Sequence, residues 1–212
     1  MPDESSIKAQ ICEIGRRLYW RGLIAASDGN ISVRVGKDEI WTTPTGFSKG
    51  FLQPDMLVKV DLWGRRLEGT QQASSELKMH LVVYQQRPDV QAVVHAHPPY
   101  ATAFAVTGAP LDEPILAEAV VNLGAIALAP YATPSTDEVP RSIAPLVVDH
   151  DVVLLANHGA LTLGSDLTSA HFRMESLEFF AQLTAISRSL GQPRAIPAEQ
   201  LDKLYRLRQG KP

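Results

Sequence analysis

His95 and His97 flank a single alanine at the end of a strand-like run that begins at Val90. On a strand, residues two apart share a face, so both imidazoles can reach one metal ion. His158 follows the apolar run Val152-Val153-Leu154-Leu155-Ala156, inside Asn157-His158-Gly159. Loops at strand ends commonly carry open metal sites, and Gly159 permits close backbone approach. Three neutral imidazoles with one position left open describe a catalytic zinc site better than a closed structural one. Glu76 sits in Ala73-Ser74-Ser75-Glu76, where Ser74 or Ser75 is expected to cap a helix. In such a place a carboxylate either complements the helix dipole or, beside a metal, works as a general base. His80 lies four residues on, on the same helix face, and is expected to be structural because three ligands are already present. His150 and His171 stand in no motif.

Two further segments are suited to an anion. Ser27-Asp28-Gly29-Asn30-Ile31-Ser32 sets a glycine and small polar side chains before a strand, and Thr43-Pro44-Thr45-Gly46 repeats the design after another. Backbone N–H groups freed by Gly29 and Gly46, with hydroxyls from Thr45, Ser74 and Ser75, can cradle a phosphate. Neither segment fits the GxxxxGK[ST] or GxGxxG patterns.

The elements that must position these residues follow from periodicity. Ile7, Ile11, Ile14 and Leu18 predict a first helix ending near Gly22. Alternation predicts strands over 30–35 and 40–43, then over 57–62 and around 66–68. A helix is expected over 75–86, stopped by Pro88, and another beginning near Pro98 after the strand at 90–97. Strands at 125–128 and 151–157 precede a long helix over 167–190 and a short one over 198–208. Interspersed strands and helices give the class α/β or α+β, with one central mixed or antiparallel sheet flanked by helices. No repeat or linker divides the chain, so residues 1–212 read as one domain.

Composition narrows the setting. The 212 residues carry a net charge of −3, which gives no reason to expect nucleic acid or an anionic membrane as partner. Cys12 is the one cysteine, so no internal disulfide forms. The N-terminal residues do not read as a secretory signal, and no stretch approaches the roughly 20 apolar residues of a membrane span. A cytoplasmic location is the expectation.

Taken in order, these segments resemble the class II aldolase/adducin family. Its GN-x-S-x-R segment matches Gly29-Asn30-Ile31-Ser32-Val33-Arg34, and its TPTG segment matches Thr43-Pro44-Thr45-Gly46. Its PSSE followed by histidine is similar to Ala73-Ser74-Ser75-Glu76 with His80. Its H-x-HP and late HG match His95-Ala96-His97-Pro98 and His158-Gly159. Ala129-Pro130-Tyr131-Ala132 is similar to a stretch of the fuculose-phosphate aldolases within it. The likeness runs from about residue 7 to about residue 190. It implies that His95, His97 and His158 are zinc ligands (another divalent metal could serve), with Glu76 filling the fourth position at rest. Glu76 would then leave the metal and become the catalytic acid/base. Asn30, Thr45, Gly46, Ser74 and Ser75 would bind the substrate phosphate. The implied reaction is retro-aldol cleavage of a small phosphorylated ketose to dihydroxyacetone phosphate and an aldehyde. The implied assembly is a homotetramer with active sites between subunits.

Departures from the family pattern bear on the substrate. Ala73 stands where the family usually has proline. The aldolases carry a tyrosine that protonates the leaving aldehyde, but the corresponding stretch here, residues 115–120, has none. Glu118, or Tyr205 from a neighbouring subunit, is left to fill that role. No lysine sits in an evidently apolar setting that would suit a Schiff base, Lys49 and Lys78 being nearest the motifs. Decarboxylases, dehydratases and pentulose-phosphate 4-epimerases share such a metal site. The epimerases place Asp at the Glu76 position, and the decarboxylases tend to replace one of the two serines by Lys. A non-catalytic adducin-like module is the remote alternative, and a cupin-type iron dioxygenase would need its glutamate after the histidine pair.

Overall fold

The first amphipathic run folds as α1 (Glu4–Trp20) in a computed structural model that describes residues 3–208 and 210. Ile7, Ile11, Ile14 and Leu18 line its buried side. Its end is a Schellman-type cap: the Leu23 N–H donates to the Leu18 carbonyl and the Gly22 N–H to that of Tyr19. That turn puts Gly22 at φ +69°, open to glycine without a Cβ penalty.

Four strands follow, β1 (Asn30–Arg34), β2 (Glu39–Thr42), β3 (Val58–Asp61) and β4 (Arg66–Glu68). After α2 (Leu77–Gln86) come β5 (Ala92–Ala96), α3 (Pro99–Thr107), α4 (Ala117–Asn122), β6 (Ile126–Ala129) and α5 (Glu138–Ile143). The chain closes with the hairpin β7 (Val152–Leu155) and β8 (Gly159–Gly164), then α6 (Leu167–Leu190) and α7 (Ala198–Arg208). α6 opens with a reciprocal capping box between Asp166 and Ser169.

The strands form one sheet in the order β4-β3-β2-β1-β5-β8-β7-β6. All neighbours are antiparallel except β6 and β7, which makes the sheet mixed. Its two faces carry separate apolar layers, sorted by the period-2 alternation of each strand. Ile31, Ala92, Val94, Val152, Leu154 and Ala160 pack with α1, α3 and α6. Val93, Val153, Leu155, Leu161 and Leu163 pack on the other side with α2 and α5.

Four elements differ from the sequence-based expectations. The helix expected from Ser75 begins at Leu77, with Glu76 at its N-cap and no side-chain cap from either serine. β8 was not anticipated: Gly159 and Gly164 frame it, and a six-residue run buried on both faces lacks a polar alternation to read. α4 and α5, six residues each, are too short for helical periodicity to register.

Candidate metal centre and anion pocket

β5 turns His95 toward the same side as Val93, the side covered by α2. Its Nδ1 donates to the Ala160 carbonyl across the β5–β8 pairing, at 2.9 Å. That bond leaves Nε2 as a bare lone pair aimed away from the sheet. His97 lies just past the strand, tethered by its N–H to the Leu23 carbonyl at 2.9 Å. Its Nδ1 is 3.5 Å from the Asp28 carboxylate, and its Nε2 is 3.1 Å from that of His95. His158 ends the three-residue loop between β7 and β8, where Asn157 adopts φ +56°. Asparagine tolerates that left-handed turn better than most residues.

Gly159 lets the hairpin close on β5. A Cβ there would stand 2.5 Å from the Ala96 carbonyl oxygen and 2.5 Å from the His97 ring. With the glycine in place, ligand atoms of His95, His97 and His158 all lie within 4.8 Å of one another.

The Glu76 carboxylate faces this cluster from the N-cap of α2. Oε2 is 3.3 Å from His95 Nε2, and Oε1 is 3.1 Å from His158 Nε2. Asn30 donates its side-chain N–H to Oε2 at 3.1 Å. The His158 approach to Oε1 lacks hydrogen-bond alignment, so that buried oxygen has no partner. Burial alone would raise the Glu76 carboxyl, but the imidazoles of His158 and His95 more than offset it and hold it well below the usual carboxylate range. Burial pushes His97 down to about 4, so its imidazole is neutral at pH 7.

A divalent cation fits this donor set. Tetrahedral nitrogens at about 2.0–2.1 Å from zinc stand roughly 3.3 Å apart, close to the separations found here. Lone pairs crowded this closely repel unless a positive charge lies among them. His80, below the cluster, is fully buried and binds Ser32 instead: its Nδ1 is 2.7 Å from the Ser32 hydroxyl, which is 2.9 Å from the Tyr84 hydroxyl. Burial pushes His80 down to about 3, so it stays neutral in that apolar layer.

Beside the histidines is a pocket of about 400 Å³. Its wall includes Asn30, Thr45, Gly46, Ser74 and Ser75, together with Glu76, His97 and His158. The Thr43–Gly46 and Gln72–Ser75 segments run side by side through a Pro44–Ala73 bridge. The Thr45 N–H donates to the Gln72 carbonyl and the Ser74 N–H to that of Thr43. Neither bond uses the Ala73 nitrogen, so a proline at that position would displace no hydrogen bond of the bridge. Ser74 accepts from the Glu76 N–H at 3.3 Å, so it shapes the turn before α2 rather than the helix proper.

Two wall residues escaped the sequence reading. Lys49 has no evidently apolar setting along the sequence, yet it is 2% exposed, and burial pushes its ammonium down to about 8 against the pull of Asp28 and Glu76. Its position three residues after Thr-Pro-Thr-Gly was the one signal available. Ser135, at φ +63°, donates to the Ser75 hydroxyl at 2.9 Å, and nothing separates its segment from an ordinary turn by sequence. Glu118 and Tyr205 lie elsewhere within this chain: Glu118 lines a separate cavity with Arg21 and Phe179, and Tyr205 lines another with Leu111 and Phe180.

Residues 9–185 match the class II aldolase and adducin N-terminal domain family. A fuculose phosphate aldolase of Methanococcus maripaludis is 37% identical over 183 residues, covering 86% of this chain and 96% of its own. A 3-oxo-tetronate 4-phosphate decarboxylase of Escherichia coli is 33% identical over 187 residues, covering 86% and 88%. A solved L-fuculose 1-phosphate aldolase superposes with a TM-score of 0.90 at 30% identity, covering 99% of this chain and 98% of its own. The chain belongs to the class II aldolase and adducin family. Within it, the chain is a lyase of the metal-dependent class II type.

Proposed function

We propose that this protein cleaves a small phosphorylated ketose, of the fuculose 1-phosphate kind, to dihydroxyacetone phosphate and an aldehyde. The observation that carries this reading is the Glu76 carboxylate lying against His95 and His158 beside a hydroxyl-lined pocket. Zinc, or another divalent cation, would be held by His95, His97 and His158, with Glu76 in the fourth position at rest. When bound, such an ion supplies a Lewis acid that draws charge from a substrate carbonyl oxygen. Thr45, Gly46, Ser74 and Ser75 cradle the phosphate and, with Asn30, orient the chain of carbons across the cluster. Asn30 steadies Oε2 of Glu76, which leaves Oε1 to accept or return a proton at the carbon next to the carbonyl.

Incubation with dihydroxyacetone phosphate in D₂O tests this without knowledge of the aldehyde. Stereospecific loss of one C3 proton, followed by NMR and abolished by a chelator, is the expected result. No exchange by the metal-loaded protein would remove the aldolase reading.

One observation favours a second reading, decarboxylation of a 3-oxo sugar-acid phosphate. A leaving aldehyde oxygen needs a proton donor, and neither Glu118 nor Tyr205 lines this chain's own pocket. Carbon dioxide leaves without one, and the remaining carbon then takes a proton drawn from solvent and relayed by Glu76. The Escherichia coli relative, with its decarboxylase name, supports the same choice. Release of carbon dioxide from such a substrate, with no proton exchange into dihydroxyacetone phosphate, would decide for it.

The finer setting belongs to the same proposal. A homotetramer is supported by large apolar side chains left exposed along α1 and α6, namely Trp20, Phe172, Phe179 and Leu190. Sedimentation at micromolar concentration measures it. A cytoplasmic location is supported by the lone, buried Cys12, and among the described residues no helix is long and apolar enough to cross a membrane.

A further inference from the structure

Lys49 is 2% exposed, as little as Trp41 and Tyr84 of the core, in a short turn, Lys49–Phe51, that follows the Thr45–Gly46 segment. Its backbone is pressed against α1 by two glycines. A Cβ on Gly15 would stand 2.7 Å from the Lys49 carbonyl oxygen, and one on Gly50 would stand 2.6 Å from the Tyr19 ring. The turn is therefore seated at a distance that only glycine allows.

From that seat the ammonium donates to the carbonyls of Ser27 and Phe47. One carbonyl belongs to the segment before β1 and the other to the segment after Gly46, so a single side chain ties together the two loops of the anion pocket. An ammonium has three N–H donors, and these bonds use two.

The rest of the chain shows what a buried lysine normally receives. Lys59, also buried, has carboxylate oxygens of Glu4, Glu39 and Glu68 at 2.9, 3.3 and 2.9 Å. Lys49 has two neutral carbonyls and, among the described residues, no carboxylate in ion-pair contact. The nearby acids whose charge reaches it are Asp28 and Glu76. A buried cation without a contacting anion is costly unless something anionic completes it. Among the residues lining the pocket it is also the one lysine or arginine.

We propose that Lys49 is the fixed positive charge of the phosphate site, joining the two cradling loops and directing its third N–H at the bound dianion. This rests on the reading that the pocket takes a phosphorylated substrate, whether ketose or sugar acid. It adds a charged member to a cradle otherwise built of hydroxyls and backbone N–H groups, which bind a dianion more weakly than a cation does. The lowered ammonium has a use here: a lysine short of counter-charge gains more from an arriving phosphate than one already paired.

The test is calorimetric titration of the metal-loaded protein with inorganic phosphate and with dihydroxyacetone phosphate, for the wild type, Lys49→Met and Lys49→Arg. Loss of one charge-assisted bond predicts about 10- to 100-fold weaker binding of both probes by Lys49→Met. Lys49→Arg should recover part of the loss, and metal content should match the wild type in both. In turnover, KM should rise in Lys49→Met by more than kcat falls, a split that a general loss of packing would not give. Equal phosphate affinity in wild type and Lys49→Met overturns the proposal while leaving the phosphate pocket intact. A wild type that binds neither probe removes the phosphate reading itself, and this inference with it. If Lys49→Met fails to fold, the wild type carries the test through ¹³C labels on the lysine ε-carbons. The resonance that titrates near pH 8 should move on adding phosphate, and one that stays put overturns the proposal.

Discussion

At the scale of single residues, Glu76 and Gly159 do the most with the fewest atoms. Glu76 has Oε2 held by Asn30 and Oε1 3.1 Å from His158 Nε2, so its carboxylate is fixed against the histidine cluster. Glu76→Gln keeps the shape and removes the proton acceptor. Turnover should fall by about 10²- to 10⁴-fold while metal content, read by atomic emission, stays near that of the wild type. Near-normal turnover would take Glu76 out of the mechanism. Gly159 matters through the absence of a side chain, since any Cβ meets both the Ala96 carbonyl and the His97 ring at 2.5 Å. Gly159→Ala should weaken metal binding by about 10- to 100-fold in a competition against a fluorescent chelator, because the ligands it displaces are held by their neighbours. Unchanged affinity would mean that the hairpin relaxes at no expense to His97.

At the scale of elements, the packing of α1 on the Lys49 turn reverses a local preference. Alanine is ordinarily better than glycine inside a helix by about 0.5–1 kcal/mol. At Gly15 the added methyl would sit 2.7 Å from a backbone oxygen, which cannot swing aside as a side chain can. Gly15→Ala is therefore expected to destabilise by about 1–3 kcal/mol in denaturant melts. A stabilised variant would show that the contact between α1 and the turn is soft. The same scale explains what was legible. The first helix could be read because Ile7, Ile11, Ile14 and Leu18 recur at its period, and all four are buried. The start of α2 could not: Ser74 and Ser75 carry cap-like chemistry, but after the Pro44–Ala73 bridge they go into a turn, and the helix begins only at Leu77.

At the scale of the whole molecule, the candidate centre joins parts far apart in the chain: the start of α2, the end of β5 and the β7–β8 turn. An ion bound there cross-links those parts in the folded state alone, so its removal should be felt globally. At a free metal concentration 100 times the dissociation constant the contribution is about 2.7 kcal/mol. For a chain of this size that corresponds to a Tm lower by about 5–11 °C after chelation, measured by differential scanning fluorimetry. A Tm indifferent to chelator would argue that the three imidazoles hold no ion tightly.

What the sequence determined by itself was whatever rests on neighbours along the chain. The two-residue spacing brings His95 and His97 within reach of one ion, although β5 ends at Ala96 and the Leu23 carbonyl holds His97 just past it. Glycines beside small polar residues mark turns suited to anions, and the buried side of the first helix follows from its spacing. The tertiary structure alone decided which strands are neighbours. The antiparallel pairing of β5 with β8 carries His158 to His95 and supplies the Ala160 carbonyl that sets the His95 tautomer. The pairing of β1 with β5 delivers Asn30 to Glu76, and the seating of α1 buries Lys49 between two loops. Strand order and burial depend on contacts between residues tens of positions apart, whose energies are sums over the whole core.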